Sequence, residues 1–322
     1  MSDSPAIRID GLSHRYGQRQ ALQSVSFEVT RGELFGLLGP NGGGKTTLFK
    51  ILSTLLEPQE GIAEIFGVDV SARPAEARMR MGVVFQAPAL DKKLTVEENL
   101  WHQGHLYGMS GSDLTDRIRE KLERVGIWER RRTRVEELSG GLRRRTELAK
   151  GFLHHPDLLL LDEPSTGLDP NARRDVWNYL ESIRKAEGTT VVLTTHLMEE
   201  AEKCDRIGIL DGGRLIALDR PERLKAAIGG DVITAVSDHP GELQKQIHER
   251  FGVEATLVDD TLRIEKERGH EFITQLVETF PGRIQSIRLG KPTLEDVFVH
   301  HTGHRFIYAN GAVEGAGEEV KK

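Results

Sequence analysis

A glycine-rich stretch between an apolar run and a helical pattern constrains this chain most. Residues 39–47 read Gly-Pro-Asn-Gly-Gly-Gly-Lys-Thr-Thr and follow the apolar run Leu34 to Leu38. This is the GxxxxGK[ST] spacing of a P-loop, in which backbone N–H groups face phosphate oxygens and a helix N-terminus favours the anion. The preceding strand, the full spacing and the following helix argue against a turn that merely caps a helix. We therefore predict that a nucleoside triphosphate with Mg²⁺ is bound by Gly39, Asn41, Gly42, Gly43, Gly44, Lys45, Thr46 and Thr47.

Length and composition limit the class of protein. The 322 residues, of which 29% are charged, suffice for one large core and a smaller second one. A formal net charge of −6 predicts no general attraction to nucleic acid or anionic lipid. Cys204 is the single cysteine, which excludes an internal disulfide and fits a reducing compartment. No cleavable signal and no run of ~20 apolar residues are visible, so any membrane role is expected to come through a partner.

Polar side chains end three predicted buried strands. Gln86 follows residues 82–85, Asp162 and Glu163 follow the run of leucines at 158–161, and His196 follows residues 190–194. Such positions lie where ligands bind in open α/β sheets. Since side chains alternate along a strand, the two carboxylates point in different directions. One could bind Mg²⁺, and the other could face a water that attacks the γ-phosphate. Without the P-loop, the carboxylates would indicate a surface turn and the histidine a structural role.

Two weaker signals flank these strands. Tyr16 lies upstream of the P-loop and could stack on an adenine ring, although an isolated tyrosine is normally just packed or exposed. Residues 95–107, 112–125 and 140–153 have helical spacing and predict a helical insertion. Leu-Ser-Gly-Gly at 138–141 opens the third helix, so Ser139, Gly140 and Gly141 form either a second anion site or an ordinary N-cap.

The ordered set of these motifs resembles the ATP-binding-cassette (ABC) ATPases over roughly the first 220 residues. The resemblance implies that Tyr16 stacks on adenine, that Lys45 contacts the phosphates, and that Mg²⁺ is bound by Thr46, Gln86 and Asp162. It also implies that Glu163 is the general base, that His196 contacts the γ-phosphate, and that Gln86 is a sensor. Because the family places Leu-Ser-Gly-Gly of one subunit over the P-loop of another, we expect a head-to-tail homodimer or a pair with a homologous subunit.

Two departures and one branch-specific feature qualify the resemblance. Leu142 stands where many members carry glutamine, which removes a polar side chain near the shared site. Gly43 stands where alanine or serine is common and should make the loop more flexible. The arginines at 143–145 and the segment 292–298 resemble the exporter branch that includes daunorubicin-type drug exporters.

The C-terminal part predicts a second unit. Residues 231–289 show a strand–helix–strand–strand–helix–strand order, which is that of a ferredoxin-like domain. RNA-binding modules share this order, but the strands at 232–236 and 262–265 lack the stacking aromatics that such modules use. We expect a regulatory or dimer-supporting role.

Together these observations predict an α/β fold: an ABC ATPase domain at 1–228 with a helical subdomain at about 90–154, a ferredoxin-like domain at 229–304 and a disordered tail at 305–322. The expected function is ATP binding and hydrolysis in an ABC transporter, an exporter, at the cytoplasmic face of the membrane. The separate transmembrane permease subunit is expected to dock on the segment after Gln86, at Ala89, Leu90, Leu94 and Trp101.

A soluble ABC ATPase acting on ribosomes or DNA is disfavoured by the single cassette and the lack of a long coiled coil, so no nucleic acid is expected. A regulator without turnover is disfavoured by Glu163.

Overall fold

The computed structural model describes residues 4–306, which form fourteen strands and eleven helices. The strands are β1 (Ile7–Tyr16), β2 (Arg19–Val29), β3 (Leu34–Leu38), β4 (Glu60–Ile65), β5 (Val68–Asp69), β6 (Met81–Val84), β7 (Leu158–Asp162), β8 (Thr190–Thr195), β9 (Arg206–Asp211), β10 (Arg214–Asp219), β11 (Asp231–Val236), β12 (Ala255–Val258), β13 (Thr261–Lys266) and β14 (Ser286–Gly290). The helices are α1 (Lys45–Leu52), α2 (Pro74–Arg80), α3 (Val96–Leu106), α4 (Gly111–Arg124), α5 (Gly140–Gly151), α6 (Pro170–Glu187), α7 (Met198–Ala201), α8 (Pro221–Ala226), α9 (Pro240–Phe251), α10 (Gly269–Thr279) and α11 (Leu294–Thr302).

A central, mostly parallel sheet positions the predicted site. Its strand order is β10-β9-β3-β8-β7-β6, and only β10 pairs antiparallel with its neighbour. Every residue of β3, β7 and β8 is buried, because helices and the second sheet cover both faces. Parallel strands end at one common edge, so the residues that follow β3, β6, β7 and β8 meet there.

The second sheet packs beside the first and supplies Tyr16. Its order is β2-β1-β4-β5, with all pairs antiparallel. Strand β1 extends through Tyr16, which pairs with Arg19 across a tight turn, whereas the sequence pattern predicts a strand only over residues 7–10. Irregular pairing within β1 interrupts the period-two pattern, which hid this extension from the sequence.

Helices α3, α4 and α5 form the insertion that the sequence predicted. Helix α3 begins at a capping box in which the Thr95 hydroxyl and the Glu98 carboxylate satisfy each other's backbone N–H groups. The sequence predicts that the helix after the glycine-rich loop runs from Lys45 to Leu56, which was wrong, because α1 ends at Leu52. Thr54 adopts a φ of 62°, and the N–H groups of the two following leucines both donate to the Lys50 carbonyl, which turns the chain away.

The C-terminal unit has a ferredoxin-like sheet. Its strand order is β12-β13-β11-β14, with every pair antiparallel, which matches the order predicted from the sequence. The apolar side chains of α9 and α10 form one cluster with the sheet. Helix α11 packs elsewhere: Phe298 is 0% exposed and belongs to the large cluster that includes Leu224 of α8 and Ile209 of β9. The C-terminal unit therefore shares a core with the ATPase domain.

Phe306, near the start of the predicted tail, lies in the core that the C-terminal unit shares with the ATPase domain. Phe306 is 3% exposed, and its ring centroid lies 5.0 Å from that of Phe298. The Arg305 guanidinium donates to the Thr261 hydroxyl. The rest of the predicted tail, 307–322, lies outside the described residues.

The shared core can be tested with the intrinsic tryptophans. All three tryptophans of the chain, Trp101, Trp128 and Trp177, lie in the ATPase domain, so their fluorescence reports its unfolding. Phe298→Ala should lower the free energy of unfolding by ~3–5 kcal/mol, because it opens a cavity in the shared core. We expect its urea transition, followed by tryptophan fluorescence, to move to lower concentration. Val277→Ala, at a position 48% exposed on α10, is the matched control and should leave the transition in place. A Phe298→Ala transition that coincides with wild type would contradict a shared core.

Candidate functional site

One cleft of about 360 Å³ collects most of the predicted residues. Tyr16 comes from the end of β1, the glycine-rich loop from the end of β3, Gln86 from the end of β6 and Glu163 from the end of β7. The cleft is lined by Tyr16, Arg19, Ala21, Asn41, Gly42, Gly44, Lys45, Thr46, Thr47, Gln86 and Glu163. Tyr16 is 46% exposed there, so its ring is free to meet a flat apolar group.

The loop at 39–44 is shaped by close backbone approach. Gly44 has a φ of 108°, and a Cβ there would lie 2.7 Å from the Ala21 carbonyl oxygen. At Gly39 a Cβ would lie 2.3 Å from the Leu210 carbonyl oxygen. Both positions therefore require glycine. At Gly43 the same Leu210 oxygen would lie 3.0 Å away, so an alanine would have to displace the loop by a few tenths of an ångström. The departure at Gly43 thus has a packing reason, the nearness of the end of β9.

Lys45 carries a buried positive charge at the centre of the loop. The residue is 5% exposed, and its ammonium group donates to the carbonyl oxygens of Gly39 at 2.6 Å and Pro40 at 3.0 Å. Burial lowers the pKa of Lys45, while the negative charges of Glu163 and Asp162 raise it in part. A buried cation among carbonyl dipoles and free N–H groups is suited to hold phosphate oxygens.

The two carboxylates after the leucine run have different surroundings. Asp162 is 5% exposed, and its Oδ1 accepts a hydrogen bond of 2.5 Å from the Thr194 hydroxyl. Burial raises the pKa of Asp162 above its ordinary value. Burial also raises the pKa of Glu163, but hydrogen bonding and charge from His196, together with the charge of Lys45, outweigh it, so the net pKa is lowered. Glu163 is therefore ionised at neutral pH, as a base must be.

The Glu163 side chain is held from three sides. Its Oε2 accepts hydrogen bonds from the Gln86 amide at 2.9 Å and the Thr166 hydroxyl at 3.1 Å. Nδ1 of His196 lies 3.2 Å from its Oε1. The backbone of Glu163 has a φ of 46°, in the left-handed region, and its N–H donates to the Thr194 hydroxyl at 3.0 Å. Strained backbone of this kind persists where the surroundings hold it, commonly at functional sites.

The predicted magnesium ligands have suitable chemistry. Thr46 offers a hydroxyl at the start of α1, Asp162 a carboxylate and Gln86 an amide, and hard oxygen ligands of this kind suit Mg²⁺. Residues 4–306 contain no cluster of three or more His, Cys, Asp or Glu side chains that could bind a metal.

The Leu-Ser-Gly-Gly segment stands apart from the cleft. Ser139 is the N-cap of α5, and its hydroxyl accepts the Leu142 N–H at 3.4 Å, while the serine itself is exposed. Neither Ser139 nor Gly140 nor Gly141 lines the cleft that contains Lys45. Within one chain, the two predicted anion sites are therefore not joined.

Sequence reasoning missed three residues that support the site. Thr194 bonds both Asp162 and the backbone of Glu163, and Thr166 bonds the Glu163 carboxylate. Thr194 had a visible signal, because it is a polar residue inside an apolar strand ending at the ligand edge. Arg144 had no such signal, because a run of three arginines is typical of a solvated helix face, yet it is 7% exposed.

Comparison with known proteins places the chain in a family. The family model described as "ABC transporter" matches residues 22–166. A daunorubicin resistance ATP-binding protein of Streptomyces coeruleorubidus is 38% identical over 94% of this chain and 97% of its own length. A Nod factor export ATP-binding protein of Rhizobium meliloti is 38% identical over 93% of this chain and 89% of its own.

Solved structures agree. The chain superimposes on cbiO1 of Clostridium perfringens, part of the ABC transporter complex cbiONQ, with a TM-score of 0.64 and 25% identity, covering 77% of this chain and 96% of that one. It also matches a dimeric ATP-binding cassette bound to ADP and phosphate, with a TM-score of 0.61 and 26% identity, covering 66% of this chain and 98% of that one. The protein therefore belongs to the ABC transporter family. It is the ATP-binding, ATP-hydrolysing subunit of an exporter-type transporter, which confirms the predicted fold and function.

The role of Lys45 predicts a specific binding defect. Lys45→Ala removes the cation that we expect to contact the phosphates, and charge-assisted bonds of this kind contribute about 1.5–3 kcal/mol each. We expect the affinity for a fluorescent ATP analogue to fall about 10- to 100-fold in a titration. Lys50→Ala, an exposed lysine on the same helix, is the control and should bind normally. An unchanged affinity in Lys45→Ala would count against the phosphate role.

Proposed function

We propose that each ATP is bound between two subunits, either two copies of this chain or this chain and a homologue. The P-loop with Lys45 would come from one subunit and Ser139 with the start of α5 from the other. The exposed N-terminus of α5, remote from the cleft of its own chain, supports this arrangement. A dimeric relative that binds ADP and phosphate supports it as well.

The hydrolytic step would be carried by Glu163. This assignment rests on the position of the Glu163 carboxylate, which faces the cleft and is fixed by Gln86 and Thr166. It would accept a proton from the water that attacks the γ-phosphate, while His196, beside the same carboxylate, would contact the γ-phosphate. Tyr16 would stack on the adenine ring. When bound through Thr46, Asp162 and Gln86, Mg²⁺ would neutralise charge on the β- and γ-phosphates.

The chain would act at the cytoplasmic face of the cell membrane through a separate permease subunit. No helix within residues 4–306 is long and apolar enough to cross a membrane. Relatives named for drug resistance and for Nod factor export support transport over a role on ribosomes or DNA. Recovery of the protein with membranes, rather than with ribosomes or DNA, would discriminate these functions.

The permease would dock in a groove of about 240 Å³ beside Gln86. This groove is bordered by Phe85 and Ala89, by Gln103 of α3 and by Tyr107, which follows the last residue of α3. The expectation that Leu90 lines a surface groove was wrong, because Leu90 is 8% exposed and packs in the large core. Trp101, which the sequence predicted for the docking surface, is 49% exposed but does not border this groove. A short amphipathic helix with a few central apolar anchors suits such a groove.

The C-terminal unit would support dimer formation or regulate it. Its strands β11 and β13 carry no aromatic side chains for base stacking, which disfavours an RNA-binding role.

The chemical role is tested by Glu163→Gln. This change keeps the size of the side chain but removes its basicity, and general-base contributions run roughly 10²–10⁴-fold. We expect kcat for ATP hydrolysis to fall by that factor while the affinity for ATP persists. Near-normal phosphate release by this variant would exclude Glu163 as the base.

The shared site is tested by the dimer that Glu163→Gln should form. Since ATP would bind across the interface without being consumed, the variant should elute as a dimer when ATP is saturating and as a monomer without it. Adding Ser139→Arg should abolish the dimer, because a large side chain would fill the contact. Ser110→Arg, at the exposed N-cap of α4, is the matched control and should keep it. A Glu163→Gln protein that stays monomeric with ATP would contradict the shared site.

A further inference from the structure

Arg144 uses its whole hydrogen-bonding capacity at the base of the catalytic site. The residue lies one turn into α5 and is 7% exposed. A guanidinium group has five N–H donors and no acceptor. Each of the five has a partner: the backbone carbonyl oxygens of Phe85 at 2.7 Å, Asp162 at 3.2 Å, Glu163 at 3.4 Å and Pro164 at 2.7 Å, and the Glu147 carboxylate at 2.8 Å.

These partners join two strand ends that the reaction uses. The Phe85 carbonyl immediately precedes Gln86, and three consecutive carbonyls from Asp162 to Pro164 surround Glu163. Glu163 has a φ of 46°, a strained conformation that a residue other than glycine keeps only where the surroundings hold it. The guanidinium therefore restrains the backbone on both sides of the strained residue.

The same helix is tied to the segment after Gln86. The second oxygen of the Glu147 carboxylate accepts the Ala89 N–H at 3.0 Å, and the Lys150 ammonium donates to the Ala89 carbonyl at 2.7 Å. Helix α5 begins at Ser139. A displacement of that helix would thus reach both Gln86 and Glu163 through Arg144 and Glu147.

We propose that Arg144 is a positioning residue for ATP hydrolysis: it fixes the backbone of Glu163 and couples α5 to the Gln86 segment. The inference rests on the proposed role of Glu163 as the base. The simpler alternative is that the buried ion pair of Arg144 and Glu147 only contributes to folding. In an Arg144 variant that is folded and binds ATP, the proposal predicts a lower kcat, whereas the alternative predicts the wild-type kcat.

Arg144→Lys tests the proposal first. Lysine keeps the charge but has three donors on a single nitrogen, so at least two of the five acceptors lose their partner. We expect kcat to fall about 10²-fold, because misplacement of a catalytic group by about 1 Å has such an effect. The affinity for ATP should change less than about threefold, since the P-loop is untouched. Arg145→Lys, whose guanidinium bonds Asp175 and Val125 instead, is the matched control and should keep wild-type kcat.

Chemical rescue separates positioning from folding. Arg144→Ala leaves a space shaped for guanidinium, so added guanidinium ion at concentrations below those that denature the protein should raise its kcat at least severalfold. Wild type and Arg145→Ala should not respond. A scaffold that was merely weakened would lose activity further on addition of a denaturant. If Arg144→Ala does not fold, the kcat of Arg144→Lys decides.

The outcomes distinguish this inference from the proposed function. Wild-type kcat in Arg144→Lys, while Glu163→Gln is inactive, would overturn the role of Arg144 alone. The same holds for Arg144→Ala if it folds and is not rescued. Normal turnover in Glu163→Gln would overturn the assignment of the base, and the inference about Arg144 with it.

Discussion

The buried charge of Lys45 is the constraint on which the site depends. An ammonium group that is 5% exposed must be compensated, and here two loop carbonyls and the charges of Glu163 and Asp162 do so. This compensation requires the loop after β3 and the end of β7 to meet at one edge, which the parallel sheet provides. Phosphate oxygens are well suited to take the place of the loop carbonyls, since the ammonium already faces the cleft.

The parts of the fold with strong local signals were predictable. The bounds of β3 equal the apolar run read from the sequence, and β7 contains the run of leucines and ends one residue later, because parallel strands buried on both faces are continuously apolar. The edge at which the site lies was readable too, since the predicted polar residues follow the ends of β6, β7 and β8. The ferredoxin-like order was also readable, because turns separate its strands and helices cleanly.

The rest depends on contacts between distant parts of the chain. Periodicity does not show which face of a segment meets a neighbour, so Leu90 was expected on the surface, although it is buried in the large core. The carbonyl partners of Arg144 are 18 to 59 residues away in the chain. Because every residue has a backbone carbonyl, the sequence does not show which ones accept these hydrogen bonds. The packing of Phe298 against the ATPase domain likewise required the tertiary structure.

The central claim is that each ATP site is completed by a second subunit, and a complementation assay measures it most directly. Ser139→Arg and Glu163→Gln should each be nearly inactive alone. In a mixed dimer, one site combines the intact Glu163 of the first variant with the intact Ser139 of the second. Each mixed dimer has one working site and only one altered Ser139, so mixing equal amounts should restore ATP hydrolysis well above the rate of either variant alone, with an upper limit of about a quarter of the wild-type rate for random pairing. No recovery on mixing, or wild-type hydrolysis by Ser139→Arg alone, would contradict a site shared between subunits.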